Sequence, residues 1–180
     1  HSTSRRQRQM CIRDRYSALH QETKDLLREL MEIPEDYDIL FCQGGGSTQF
    51  LMVAANFLTK KYGAYVNTGV WAKKAMAEAQ YYGEAYEAAS SADKNHSYIP
   101  QAFDLRPDTS YVHMTANNTI YGTEYPDFPK FDVPMICDMS SDILSRRVNV
   151  ADFDLIYAGA QKNLGPAGVT SVSYTHLTLP

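Results

Sequence analysis

Lys162 stands where a single amine carries the most chemical meaning in this chain. In LIYAGAQKNLGPAG, Leu155 to Gly168, an apolar run meets a Gly, then Gln161, then one Lys ahead of a Gly-Pro-Ala-Gly loop. An amine at the mouth of a buried strand is partly dried, and burial lowers its pKa and makes it a better nucleophile toward an aldehyde. Taken alone, the pattern reads more readily as a surface-loop lysine. Three other strand ends are chemically loaded. QGGGSTQF, Gln43 to Phe50, follows an apolar run with three glycines, which let backbone approach a ligand closely. Gly46 and Ser47 stand at the start of the helix after them, whose free N–H groups and positive dipole end suit a phosphate. The stretch lacks the Gly-Lys-Ser/Thr of a nucleotide P-loop and the spacing of a dinucleotide fingerprint. A tight strand–helix turn explains it equally well.

Asp138, in ICDMSSD, closes an apolar run. A carboxylate there loses water unless it has a partner. It is either a cap held by Ser140 and Ser141 or the partner of a buried cationic ligand group. Asn117-Asn118-Thr119 follows the run YVHMT, and its short polar side chains can bind a ligand or make a turn. His113, inside that run, reads as a satisfied core or edge histidine. In open α/β sheets ligands sit where strands end. A phosphate cradle, an acidic strand end and a strand-end lysine, in that order along the chain, are the parts of a pyridoxal 5'-phosphate site: the lysine forms the Schiff base, the Asp pairs with the pyridinium nitrogen, and a helix N-terminus holds the phosphate.

Those residues need a parallel sheet to bring them together. Apolar runs of strand length lie at Tyr37–Cys42, Ala64–Thr68, Ala85–Ala89, Ser110–Thr115, Val133–Asp138 and Asp154–Ala160, with another beginning at Val169–Val172. Helical spacing marks Tyr16–Ile33 (Leu19, Leu26, Leu27, Leu30, Met31), then Gln49–Leu58, capped by Ser47 or Thr48, and Val70–Tyr82. Residues 90–108 and 120–130 read as loops. Strands alternating with helices predict an α/β fold, a mostly parallel sheet with flanking helices.

The two ends read differently. RQRQMCIRD, Arg6 to Asp14, and VSYTHLTLP, Val172 to Pro180, can be written as coding DNA so that one is the reverse complement of the other. They resemble a sequencing adapter translated in both directions. Residues 1–15 and 172–180 are therefore expected to be a non-native scar and are set aside, leaving 16–171, with the gene continuing past both ends. Residues 1–15 hold five Arg and one Asp, so without them the net charge of −4 becomes −8. An acidic remainder argues against a nucleic-acid partner, and no run is long and apolar enough for a membrane span. Cys42 and Cys137 lie in apolar runs and read as reduced thiols of a cytoplasmic protein. No metal site is expected.

FCQGGGSTQF, YVNTGVWAKKA, NNTIYGTEY, CDMSSDILSR and IYAGAQKNLGPAG together resemble the phosphoserine aminotransferases, pyridoxal-phosphate enzymes of fold type I, across essentially all of residues 16–170. The resemblance implies a partial large domain of that fold. It implies that Lys162 holds the cofactor and shuttles the substrate proton, and that Asp138 keeps the ring nitrogen protonated. Trp71 would stack on the ring, Gly46 and Ser47 would hold the phosphate through backbone N–H groups, and Thr119 and Gln161 would hydrogen-bond the cofactor. The reaction implied moves an amino group from glutamate to 3-phosphohydroxypyruvate, giving phosphoserine and 2-oxoglutarate in serine biosynthesis. In many bacteria a related phosphorylated keto acid on the route to pyridoxine is also aminated. A homodimer is implied. The family's N-terminal His-Arg pair, its small domain and its partner-reaching loop have no counterpart here, so the expectation is that this chain alone does not turn over. Other readings are a different fold type I enzyme, such as a cysteine desulfurase, an inactive cofactor-binding fragment, or a nucleotide-binding domain.

Overall fold

A computed structural model describes residues 5–175, with side chains from residue 10 onward. In chain order the elements are α1 (Arg5–Met31), β1 (Tyr37–Cys42), α2 (Gly45–Phe57), β2 (Tyr62–Asn67), α3 (Val70–Ala79), β3 (Glu84–Ser90), β4 (Thr109–Thr115), β5 (Asn117–Asn118), β6 (Thr123–Glu124), β7 (Met135–Asp138), β8 (Leu155–Gly159) and β9 (Thr170–Thr175). Each apolar run of strand length becomes a strand. β7 starts two residues later than its run, after Pro134, which has no N–H for a ladder bond. The stretch 120–130 is not all loop, because β6 pairs antiparallel with β5.

Seven strands form one sheet in the order β1-β9-β8-β7-β4-β2-β3. β8, β7, β4, β2 and β3 are parallel neighbours, whereas β9 runs antiparallel to both β8 and β1. β1 therefore points the same way as β8, and every strand of the sheet except β9 ends at one common edge. That edge receives Gly44–Gly46 after β1, Asn117–Thr119 after β4, Asp138 at the end of β7 and Lys162 after β8.

Both terminal segments set aside from the sequence reading contribute backbone to these elements. α1 extends back to Arg5 because no Gly or Pro interrupts it, and Val172–Thr175 complete β9. The apolar stripe expected on α1 is only partly used. Leu27 and Met31, one turn apart, are buried, but Leu19, Leu26 and Leu30 are exposed. The helix end is tied down instead by Arg28, whose guanidinium donates to the carbonyls of Pro34, at 2.6 Å, and Tyr37.

The sheet is covered on both faces, which is why its central strands β4, β7 and β8 are buried along their whole length. On one face Phe50, Val53 and Ala54 of α2 and Ala75 and Ala79 of α3 pack on Tyr65, Tyr111, Ile136 and Tyr157. On the other, Ile39, Val66, Val112, Met114 and Cys137 meet Leu27 and Met31 of α1 together with the loop aromatics Phe103, Phe128 and Phe131. The first face also encloses a polar ladder. Tyr65 and Tyr111 share a hydroxyl–hydroxyl bond of 2.7 Å, and His113 Nε2 lies 2.8 Å from the Tyr157 hydroxyl. The Tyr65 ring stacks on His113 with centroids 5.0 Å apart.

His113 is a core residue, and burial pushes its pKa down to about 3. In the unfolded chain it takes up a proton as pH falls past its ordinary value of 6.5, but in the folded chain only near 3. Between those values the unfolded chain binds more protons at this site, so stability drops as pH falls. Asp138 acts oppositely. Burial raises its carboxyl, so the folded chain keeps a proton that the unfolded chain has released, and this contribution is lost as pH rises through the folded carboxyl's raised range. Just below pH 6.5 the His113 contribution therefore adds a slope of its own. Denaturant unfolding should show stability falling there by up to ~1.4 kcal/mol per pH unit. His113→Gln should flatten that slope, and a slope that survives the substitution would contradict the assignment.

Candidate active site

The cradle after β1 is built by glycine. Gly44 (φ 102°) and Gly45 (φ 72°) both adopt the left-handed region, turning the chain abruptly from strand into helix. α2 consequently starts at Gly45, not at Gln49, and has no side-chain cap; Thr48 Oγ1 donates back to the Gly44 carbonyl at 2.6 Å. The first-turn N–H groups, including those of Gly46 and Ser47, have no partner within the helix and carry its positive dipole end. Gly46 also packs backbone to backbone against the end of β8. A Cβ on Gly159 would stand 2.9 Å from Gly46 N, and a Cβ on Gly46 would stand 3.0 Å from Ser140 Oγ. Ser140 Oγ in turn accepts from Gly159 N–H at 3.0 Å.

Asp138, the last residue of β7, is 6% exposed. Its Oδ1 accepts from Ser140 N–H at 2.9 Å. Ser141 does not hold it and donates instead to the Asn117 carbonyl, at 3.1 Å. Burial pushes the carboxyl above its ordinary range, and the neighbouring Ser140 and Tyr157 recover only part of that. Asp138 forms no ion pair among the described residues, so the capping interaction leaves it short of positive charge. A cationic N–H brought against it would be held tightly.

These groups surround a cavity of about 210 Å³ at the shared strand edge. All seven residues singled out from the sequence line it: Gly46, Ser47, Trp71, Thr119, Asp138, Gln161 and Lys162. Trp71, on the first turn of α3, is 37% exposed and so is no core anchor; Lys74 Nζ lies 4.7 Å from its ring centroid. Thr119 and Gln161 are exposed. Lys162 departs from its expected environment. The ladder ends at Ala160, whose N–H donates to Val169, and the chain then turns outward, leaving Lys162 exposed rather than dried. Its φ of 50° places a non-glycine residue in the left-handed region, a strain that a functional position can retain.

Phe50 and Thr115 also line the cavity and were not found from the sequence. Thr115 is the last residue of β4, and its buried Oγ1 has no partner. Its place at the loaded edge was the available signal. A larger cavity of about 440 Å³ lies between the end of α1 and residues 139–148 and includes Arg146 and Arg147. Arg146 is already engaged by Glu124 at 3.3 Å, Asp142 at 3.6 Å and the carbonyls of Tyr125 and Pro126. It staples the loop that carries Thr119. Arg147 pairs with Glu32 at the surface, 3.3 Å away.

The Gly159–Gly46 contact yields a direct test. Gly159→Ala forces its methyl into helix backbone, which cannot swing aside. The expected loss is ~1–3 kcal/mol of unfolding free energy, read from denaturant midpoints. An unchanged midpoint would show that the contact gives way.

The profile of the class-V aminotransferases matches residues 3–179. The phosphoserine aminotransferase of Bacillus subtilis (strain 168) is 55% identical over 160 residues, which is 87% of this chain and 44% of that protein. The phosphoserine aminotransferase of Bacteroides fragilis is also 55% identical, over 87% of this chain and 44% of its own length. The chain thus spans less than half the length of the curated relatives it matches. A solved phosphoserine aminotransferase that records radiation damage of its Schiff base superposes with a TM-score of 0.87 at 50% identity, over 92% of this chain and 49% of that one. The pyridoxal-phosphate-bound enzyme from Trichomonas vaginalis gives a TM-score of 0.80 at 35% identity, over 86% and 48% of the two chains. The chain belongs to the class-V aminotransferase family.

Proposed function

We propose that this chain forms the pyridoxal 5'-phosphate site of a phosphoserine aminotransferase, moving an amino group from glutamate to 3-phosphohydroxypyruvate. One observation carries the reading: Lys162, Asp138 and the α2 N-terminus border one cavity. The residues present fit the cofactor. The glycine turn leaves backbone N–H groups open to a phosphate, Asp138 is a buried acid short of positive charge, and Thr115 Oγ1 is an orphaned polar atom in the cavity wall.

Pyridoxal phosphate, when bound, supplies an aldehyde that takes up an amino group and a protonated ring that spreads the electrons released at the substrate Cα. The chain's own residues then divide the work. Gly46 and Ser47 N–H bind the phosphate, with the helix dipole favouring its charge. Asp138 accepts the proton-bearing ring nitrogen and keeps that proton in place. Trp71 covers the ring face and orients it. Thr119 and Gln161 bind its polar substituents. Lys162 Nζ would hold the cofactor through its aldehyde and would serve as the base that moves the proton from the substrate Cα. Its exposed position on a turn suits a group that must attach, detach and swing.

The enzyme is placed in the cytoplasm as a homodimer acting on small molecules. Free thiols at Cys42 and Cys137 and the absence, among the described residues, of a helix long and apolar enough to cross a membrane support the location. The net charge of −4 disfavours nucleic acid as a partner. The dimer rests on the family resemblance. Residues 1–15 and 172–180 are read as non-native flanks on their reverse-complement relation; the alternating VSYT of the second happens to satisfy a strand slot.

Reduction with borohydride in the presence of pyridoxal phosphate should leave a permanent phosphopyridoxyl mark, located by peptide mass mapping. The expected outcome is one mark per chain, on Lys162, lost in Lys162→Ala. A mark shared among surface lysines such as Lys73 and Lys74 would overturn the reading.

A further inference from the structure

The polar ladder beneath the site has a direction. Asp138 and Tyr157 are register partners on adjacent strands, so their side chains share one face of the sheet, and the phenol beside the carboxyl favours its ionised form. The same hydroxyl lies 2.8 Å from His113 Nε2, and all three side chains are buried. His113 Nδ1 has no partner. A phenol has one proton to give, so it cannot donate to both Asp138 and His113. We propose that Tyr157 and His113 are positioning residues for Asp138, with His113 Nε2–H donating to the Tyr157 oxygen so that the single Tyr157 proton is committed to the carboxylate.

The orphaned Nδ1 fits this polarity. A neutral imidazole carries one N–H, and placing it on Nε2 leaves the partnerless Nδ1 as a bare lone pair, so that no buried N–H goes unpaired. The reverse tautomer would draw the Tyr157 proton away and leave an ionised Asp138 with the Ser140 N–H but without the phenol's proton. His113 cannot disturb the arrangement by charging, because burial keeps it neutral. The other groups facing the ladder are Tyr65, stacked on His113 from β2, and Tyr111 of β4 bonded to Tyr65. Cys137, adjoining Asp138 and held neutral by burial, faces the opposite side of the sheet. From α2 the ladder meets the uncharged edge of Phe50. Among the described residues, Lys162 is the one cationic side chain that lines the cavity.

The consequence rests on the cofactor reading. A donor behind the carboxylate makes it less basic toward the ring nitrogen in front, so the shared proton stays on the ring. The test uses the full chain, ring-¹⁵N pyridoxal phosphate and ¹⁵N-histidine. In the unmutated chain the ring nitrogen should show the protonated shift, and His113 should show a protonated Nε2 with a bare Nδ1. Tyr157→Phe, checked for folding by circular dichroism and for cofactor stoichiometry, should move the ring nitrogen toward the neutral shift. A ring shift unchanged in a folded, loaded Tyr157→Phe chain, or a protonated Nδ1 in the unmutated chain, overturns the proposal. Absence of cofactor binding would defeat the cofactor reading alone. The His113 tautomer, read without cofactor at a pH where Asp138 is ionised, then decides the inference. It decides likewise if the variant does not fold.

Discussion

Backbone meeting backbone at Gly46 and Gly159 is the constraint on which the site depends. No side chain fits between the first turn of α2 and the last residue of β8. The helix N-terminus, which would receive an anion, is therefore fixed against the strand that leads to Lys162, and Ser140, two residues beyond Asp138, bonds the same junction. Three chain segments far apart in sequence are locked at one point. A rigid first turn is what an anion site needs, because N–H dipoles hold charge best when they need not reorganise.

The parallel sheet supplies the second condition. Six of its seven strands end at one edge, so residues separated by more than a hundred positions share one cavity. Burial at the centre of that edge does chemical work as well as packing. It raises the Asp138 carboxyl, keeps His113 neutral and lifts the Tyr157 phenol well above its ordinary range. The result is a gradient from a dry polar ladder below to exposed, mobile-capable groups above, Thr119, Gln161 and Lys162. Binding groups sit on the fixed floor, and the amine that must come and go sits on a turn.

Much of this was legible in the sequence because the relevant signals are local. Apolar runs bounded by Gly, Pro and Asn locate the strands, and residue types at the strand ends locate the chemistry. What was not legible depends on tertiary contacts. The start of α2 at Gly45 follows from two left-handed glycines, where a capping pattern at Ser47 or Thr48 looked adequate. Exposure of Lys162 follows from β8 closing its ladder at Ala160, which no spacing rule states. Thr115 closes a run that reads simply as strand, and only the common strand edge marks it as part of the site. The apolar stripe on α1 predicts a helix correctly but not which of its leucines meet the core.

The central claim is that one bound group spans Lys162, Asp138 and the α2 N-terminus. A crystal structure of the chain grown with pyridoxal phosphate tests this most directly. The account predicts density continuous with Lys162 Nζ, the ring nitrogen against Asp138 and the phosphate over the N–H groups of Gly46 and Ser47. A phosphate bound elsewhere, or a ring facing away from Asp138, would contradict it.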